Sequence, residues 1–201
     1  SQGYIWTGSY AGMTRYNGRE FETFTKPLPS NSVRSMVKDY KGRIIIATTS
    51  DICYLENSQF DCLPQNSKLP LKNIYQVVSA EEGNLWIAAE GGVMHMTGNE
   101  TRVYTVKDGL PSQTVRTITQ DRSGYIWVGT RNGIARFNGK RFEKISGAAS
   151  LKIPTLVLHE TDEGMWAGGN LGLFLIDIKS LKVVKIENDE FDKNGVLSLH
   201  E

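Results

Sequence analysis

The sequence lacks any apolar run close to 18 residues long. A helix that crosses a bilayer needs about 20 such residues, so no membrane contact is expected of this segment. Charge of one sign is also lacking. Lys plus Arg is 23, Asp plus Glu is 22, and the net charge is +1. That excludes the electrostatic footprint of a dedicated nucleic-acid binder. The densest run of cations, Arg131, Arg136, Lys140, Arg141 and Lys144, reads as a solvated face. No second histidine follows His159 or His200 at metalloprotease spacing, and with His95 as the only other histidine and two cysteines no zinc site is expected. No G-x-S-x-G elbow and no phosphate-binding glycine loop occurs, so catalytic residues, metal ligands and cofactors are all expected to be none. A 3.6-residue apolar pattern is missing as well, which argues against a helical solenoid. No signal-peptide pattern is present. The chain nevertheless opens in mid-repeat at Ser1-Gln2-Gly3, as expected of a piece of a longer polypeptide.

What is there is one local phrase, repeated. It reads Gly3-Tyr4-Ile5-Trp6-Thr7-Gly8, Gly83-Asn84-Leu85-Trp86-Ile87-Ala88 and Gly124-Tyr125-Ile126-Trp127-Val128-Gly129. Gly164-Met165-Trp166-Ala167-Gly168 is a shortened copy, and Gly42-Arg43-Ile44-Ile45-Ile46-Ala47 carries Ile45 in the tryptophan slot. The anchor glycines are 39, 41, 41 and 40 residues apart. A fixed period of this size marks a repeat architecture. Most prominent residues are therefore expected to be scaffold.

The clearest copy shows what one repeat does. Val115–Gln120 alternates and predicts a strand. Asp121-Arg-Ser-Gly124 suits a turn in which the carboxylate bonds nearby backbone N–H groups. Tyr125–Thr130 predicts a second strand and Ile134–Phe137 a third. Asn138-Gly139 predicts a two-residue hairpin with both residues at positive φ. Lys140–Ile145 predicts a fourth strand. Four antiparallel strands in about 41 residues make a β-propeller blade. Trp6, Trp86, Trp127 and Trp166 then serve as structural wedges between blades. Each buries roughly 150–250 Å², worth about 4–6 kcal/mol as an upper bound. The small residue two positions later lets the next sheet approach.

The predicted architecture is all-β, with five blade-equivalents at about 1–26, 27–65, 68–106, 109–147 and 150–187, in a single propeller domain or fragment spanning 1–201. A last first-strand is expected within 195–201. It either completes the first blade and closes a five-bladed ring, or the chain is an arc of a larger propeller. Closure would remove exposed strand edges.

The run Gly109-Leu-Pro-Ser112 through Asp121, Gly124, Trp127-Val-Gly-Thr130 to Gly133-Ile-Ala-Arg-Phe-Asn138 closely resembles the two-component regulator propeller repeat. Copies one, three and four match best. The resemblance implies a non-catalytic, periplasmic sensor region of a membrane-bound hybrid histidine kinase, of the kind gut bacteria use to sense polysaccharides. It implies an oligosaccharide ligand, and self-association through the parent sensor. The alternatives are an extracytoplasmic protein-interaction propeller, and a lyase or glycoside hydrolase of propeller fold.

The cysteines bear on the compartment. If Asn57-Ser58 is the turn, Leu55 faces Phe60 and Cys53 faces Cys62. Residues directly opposite approach to about 4.5–5.5 Å between Cα atoms, so a disulfide between Cys53 and Cys62 fits. It would contribute roughly 2.5–3 kcal/mol and suit an oxidising compartment. Two reduced, buried thiols are the alternative. Glu190-Phe-Asp192-Lys-Asn194-Gly195, with Glu201, nearly fits a calcium loop but reads better as the entry loop of a further repeat. Glu201, Glu160, Asp121 and Asp39 fall on the acidic turn position. His159 and His200 are repeat-equivalent strand ends. Asn99-Glu-Thr101 is an incidental glycosylation sequon. Turns between the second and third strands carry Tyr10, Asp51, Glu90, Arg131 and Asn170. These five are the ligand-rim candidates, with Tyr10 as a stacking platform for a sugar.

Overall fold

The protein is described by a computed structural model covering residues 3–24, 28, 30–63, 69–80, 83–98, 100–145 and 154–200. Five antiparallel meander sheets follow one another along the chain. Sheet I is β1 (Ile5–Ser9), β2 (Gly12–Tyr16) and β3 (Phe21–Phe24). Sheet II is β4 (Val33–Lys38), β5 (Ile44–Thr48), β6 (Ile52–Glu56) and β7 (Gln59–Cys62). Sheet III is β8 (Lys72–Ser79), β9 (Leu85–Glu90), β10 (Gly92–Thr97) and β11 (Glu100–Tyr104). Sheet IV is β12 (Val115–Gln120), β13 (Ile126–Thr130), β14 (Gly133–Phe137) and β15 (Phe142–Lys144). Sheet V is β16 (Thr155–Thr161), β17 (Gly164–Gly169), β18 (Gly172–Ile176) and β19 (Val183–Ile186). Two compact units result: residues 1–89 with 94–101, and residues 90–93 with 102–201.

Sheet I has three strands where the others have four. The expected strand within 195–201 does not form. Residues 195–200 carry no strand, and Glu201 lies outside the described residues. A strand-like pattern makes a strand only when a neighbour supplies its ladder. Val196 is held instead by its N–H on the Gly169 carbonyl, 2.9 Å away, and its side chain lies over Gly168. The entry loop before it winds into a short helix, α1 (Asp189–Asn194). Asn188 caps it by accepting from the N–H groups of Glu190 and Phe191. Asp192 is paired with Lys185 Nζ at 2.7 Å, and Glu190 accepts from Asn194.

The turns explain the repeat. Asp121 Oδ1 accepts from the N–H groups of Ser123 and Tyr125, and Oδ2 accepts from Trp127 Nε1 at 2.7 Å. One carboxylate thus shapes the turn and satisfies the buried indole. Trp127 is fully buried among Leu158, Met165, Ala167, Phe174 and Ile176 of sheet V. Asp39 makes the same two backbone bonds, to Lys41 and Arg43. There the tryptophan is Ile45, and the second oxygen takes Arg43 Nε at 2.8 Å instead. In sheet V the turn is shorter, and Thr161, not Glu160, does the work. Its hydroxyl accepts from Trp166 Nε1 at 3.0 Å. Glu160 accepts from the Arg122 N–H.

One hairpin departs from the expectation and another follows it. Asn138-Gly139 belongs to a four-residue loop, because Phe137 pairs with Phe142. Asn138 Oδ1 accepts from Lys140 and Arg141 N–H, and only Gly139 is at positive φ. The two-residue, double-positive turn is Asn57-Ser58, at φ 49° and 63°. Leu55 pairs with Phe60 and Cys53 with Cys62, and the two sulfurs are bonded. Close approach is steric at Gly129. A Cβ there would sit 2.4 Å from Thr117 Cγ2 and 2.8 Å from Thr155 Cγ2.

Candidate functional site

The turns between second and third strands hold the five rim candidates, which do not share one environment. Tyr10 is exposed. Arg34 stands over its ring at 4.9 Å and donates to its hydroxyl at 3.2 Å. Arg34 is delivered by a β-bulge, since the β4–β5 register slips between Val33 and Ser35. Asp51 is turned inward, only 6% exposed, and accepts from Ser50 Oγ at 2.6 Å and Thr48 Oγ1 at 3.2 Å. Its Oδ2 thus braces the turn. Glu90 and Arg131 are linked through Thr114, whose hydroxyl donates to Glu90 Oε1 while its carbonyl accepts from Arg131 N–H. Asn170 is exposed, and its Cα would lie 3.1 Å from a Cβ built on Gly195.

A cleft of about 680 Å³ opens at the other end of the strands, between sheets I and II. Tyr4, Trp6, Arg15, Lys38, Lys41 and Arg43 supply its aromatic and cationic lining. Glu56 is the one carboxylate among its lining residues. The local reasons are visible in the repeat. Arg15 pairs across from Trp6 and lies 4.5 Å over Tyr4 and 5.5 Å over Trp6. Such stacking orients a guanidinium without removing its hydrogen-bonding edge. Lys38, Lys41 and Arg43 bracket the Asp39 turn. Arg43 is stacked 4.4 Å over Tyr54 and uses Nε for Asp39. Burial pushes the Asp39 carboxyl up. The Arg43 guanidinium and the backbone donors outweigh burial, so it sits below its ordinary 3.8 and stays ionised.

The equivalent cleft between sheets IV and V has the opposite charge. It encloses about 410 Å³ and is lined by Glu160, Asp162, Glu163 and Asp177 against Arg122 and Lys179. Arg122 pairs with Asp162. Hydrogen bonds from Ser180 hold the Asp177 carboxyl below the ordinary carboxylate range, the wrong direction for a general acid. Arg136, the counterpart of Arg15, is spent on the Ile178 carbonyl at 2.9 Å. Among the described residues no group of three or more His, Cys, Asp or Glu side chains is placed to hold a metal ion. The run of cations read as a solvated face is dispersed over its sheet. Arg131 lies in the β13–β14 turn, Lys140 and Arg141 at the far end of β14, and Arg136 over Tyr125 and Trp127.

The sequence reading missed the cationic cleft. Lys38, Lys41 and Arg43 were legible only as turn neighbours, and Arg15 arrives from a different repeat.

Residues 27–50 and 109–132 match the family model described as two component regulator propeller. No curated protein matches the chain in sequence. Among solved structures, the chain is similar to an extracellular domain assigned to a hybrid two component system, BT3049 of B. thetaiotaomicron. That match has 20% identity and a TM-score of 0.81, covering all of this chain and 29% of the other. It is similar to the extracellular domain assigned to the BT4673 one component system of the same organism, at 22% identity and TM-score 0.82, covering 96% and 27%. A streptogramin B lyase structure also shares the fold, at 16% identity and TM-score 0.75, covering 93% and 66%. The chain thus spans under a third of the two extracellular domains. No described helix is long and apolar enough to cross a membrane.

Proposed function

We propose that the chain, which matches the two component regulator propeller model over residues 27–50 and 109–132, is a non-catalytic segment of the periplasmic sensor region of a two-component signalling protein. Its role is to help recognise an oligosaccharide. The observation that carries the reading is the repeat match, on sheets whose fold recurs in extracellular domains assigned to B. thetaiotaomicron signalling systems. The Cys53–Cys62 bond supports an oxidising compartment. The cleft between sheets I and II supports ligand binding. At about 680 Å³ it falls in the roughly 300–1,000 Å³ range of small-molecule sites, and it offers Tyr4 and Trp6 as ring platforms.

The test is a glycan array probed with the labelled 201-residue chain, charged and neutral glycans together. Binding to a related set of glycans is the expected result. Binding to none of them overturns the sugar-recognition role. Sequencing the reading frame beyond residue 201 checks the signalling context independently: a membrane span followed by a histidine-kinase core is expected.

A further inference from the structure

We propose that the cleft between sheets I and II is an anion-binding subsite, and that the saccharide it takes carries a carboxylate or sulfate group. This rests on the oligosaccharide reading above and narrows it to acidic sugars. Four cations line the cleft against the single carboxylate of Glu56. Two of them, Arg15 and Arg43, have partners in Glu22 and Asp39. Lys38 and Lys41 have no carboxylate partner among the described residues. Lys41 lies 5.4 Å from the Tyr40 ring centroid. Gly42, at φ +84°, keeps the turn bare where the Lys38 stem passes. A Cβ there would touch Lys38 Cε at 3.5 Å.

The arrangement of Arg43 favours an anion over a neutral sugar. Asp39 Oδ2 takes Nε, which leaves the two terminal amino groups without a hydrogen bond to described residues. A guanidinium held by stacking on Tyr54 and fixed at Nε presents a planar, two-donor edge. That edge matches the paired oxygens of a carboxylate or sulfate. Tyr4 and Trp6 flank the same cleft and supply apolar area for a pyranose face. Cations beside aromatic rings are the combination an acidic sugar needs. A neutral sugar would leave the Lys38 and Lys41 ammonium groups without a carboxylate partner among the described residues.

The equivalent cleft of sheets IV and V shows that the charge is not imposed by the repeat. There the same turns place four carboxylates against two cations. It is therefore an internal control.

The experiment is calorimetric titration of the 201-residue chain with three probes: a galacturonic acid hexasaccharide, a sulfated uronic acid disaccharide, and a neutral glucose hexasaccharide. At least one acidic probe is expected to bind at least tenfold more tightly than the neutral one. That preference should weaken between about 50 and 500 mM salt as screening grows. The double variant Lys38→Glu/Lys41→Glu is expected to lose the acidic probe by at least tenfold, with an unchanged melting temperature. Arg122→Glu, in the acidic cleft, is expected to leave affinity unchanged. Equal affinity for acidic and neutral probes overturns the inference while leaving the oligosaccharide reading standing. Acidic binding that survives the double variant, or no acidic binding, also overturns it. Which acidic probe wins separates carboxylate from sulfate.

Discussion

Sheets II and IV are built on the same 41-residue plan and solve one problem differently. Both place an aspartate at the turn before the second strand, and both use Oδ1 to gather two backbone N–H groups. In sheet IV the other oxygen holds the Trp127 indole, so the carboxylate is committed to the core. In sheet II the tryptophan is Ile45, and the freed oxygen holds Arg43 at the surface. Losing one aromatic wedge thus ties a cation to the cleft. The lesson is that a degenerate repeat is not only a weaker copy. Where the scaffold gives up a buried donor, the same acceptor becomes available to organise a surface.

Removing the wedge from sheet IV should have the largest effect. Trp127→Ala is expected to cost about 3–5 kcal/mol. Ile45→Ala should cost about 2–4 kcal/mol, because its side chain is smaller. Urea unfolding of both variants measures the difference. Equal losses would show that the tryptophan is not the stronger wedge.

The staple that only sheet II has comes next. Replacing both Cys53 and Cys62 by Ser should cost roughly 2.5–3 kcal/mol. Hydrogen exchange should locate the loosening in β6 and β7 and leave sheet IV protected. Uniform loosening would mean that the bond steadies more than its own hairpin.

Acid sharpens the comparison further. The folded-state pKa of Asp39 is depressed, so its contribution is present above the unfolded value near 3.8 and is lost as pH falls through the lower folded value. Arg43→Met removes the main opposing charge and raises that folded value. Its acid-unfolding midpoint is therefore expected at higher pH than that of the parent chain. An unmoved midpoint would show that the backbone N–H groups alone hold the carboxylate.

The smallest change tests the turn. Ser58 holds φ 63° without being glycine. Ser58→Gly should stabilise by about 0.5–1 kcal/mol, read as a higher thermal midpoint. A lower midpoint would mean that the 3.5 Å contact from Arg15 Nη1 to the Ser58 hydroxyl outweighs the strain.

Much of this was legible because it is local. The Trp127 strand, the Asp121 turn and the opposition of Cys53 and Cys62 depend on neighbours a few residues away. The Asn138-Gly139 loop was misread because its tightness is decided by the Phe137–Phe142 pairing, which no dipeptide reports. Thr161 was missed in favour of Glu160 because one residue is absent from that turn, and the acceptor moved with it. Asp51 was placed on a rim by repeat position, whereas Thr48 and Ser50 draw its carboxylate inward.

The sequence by itself determined the period, the antiparallel sheets, the Trp127 wedge and the Asp121 turn, since these follow from spacing, alternation and short-range hydrogen bonding. Tertiary structure alone decided which side chains from different repeats share a surface. Arg15 and Arg43 line one cleft because sheet I packs on sheet II, through Met13, Val33 and Ile46. The segment near Val196 likewise forms no strand among the described residues and is held by the Gly169 carbonyl. Pairing and packing are relations between distant segments, and their energy is absent from any single stretch of chain.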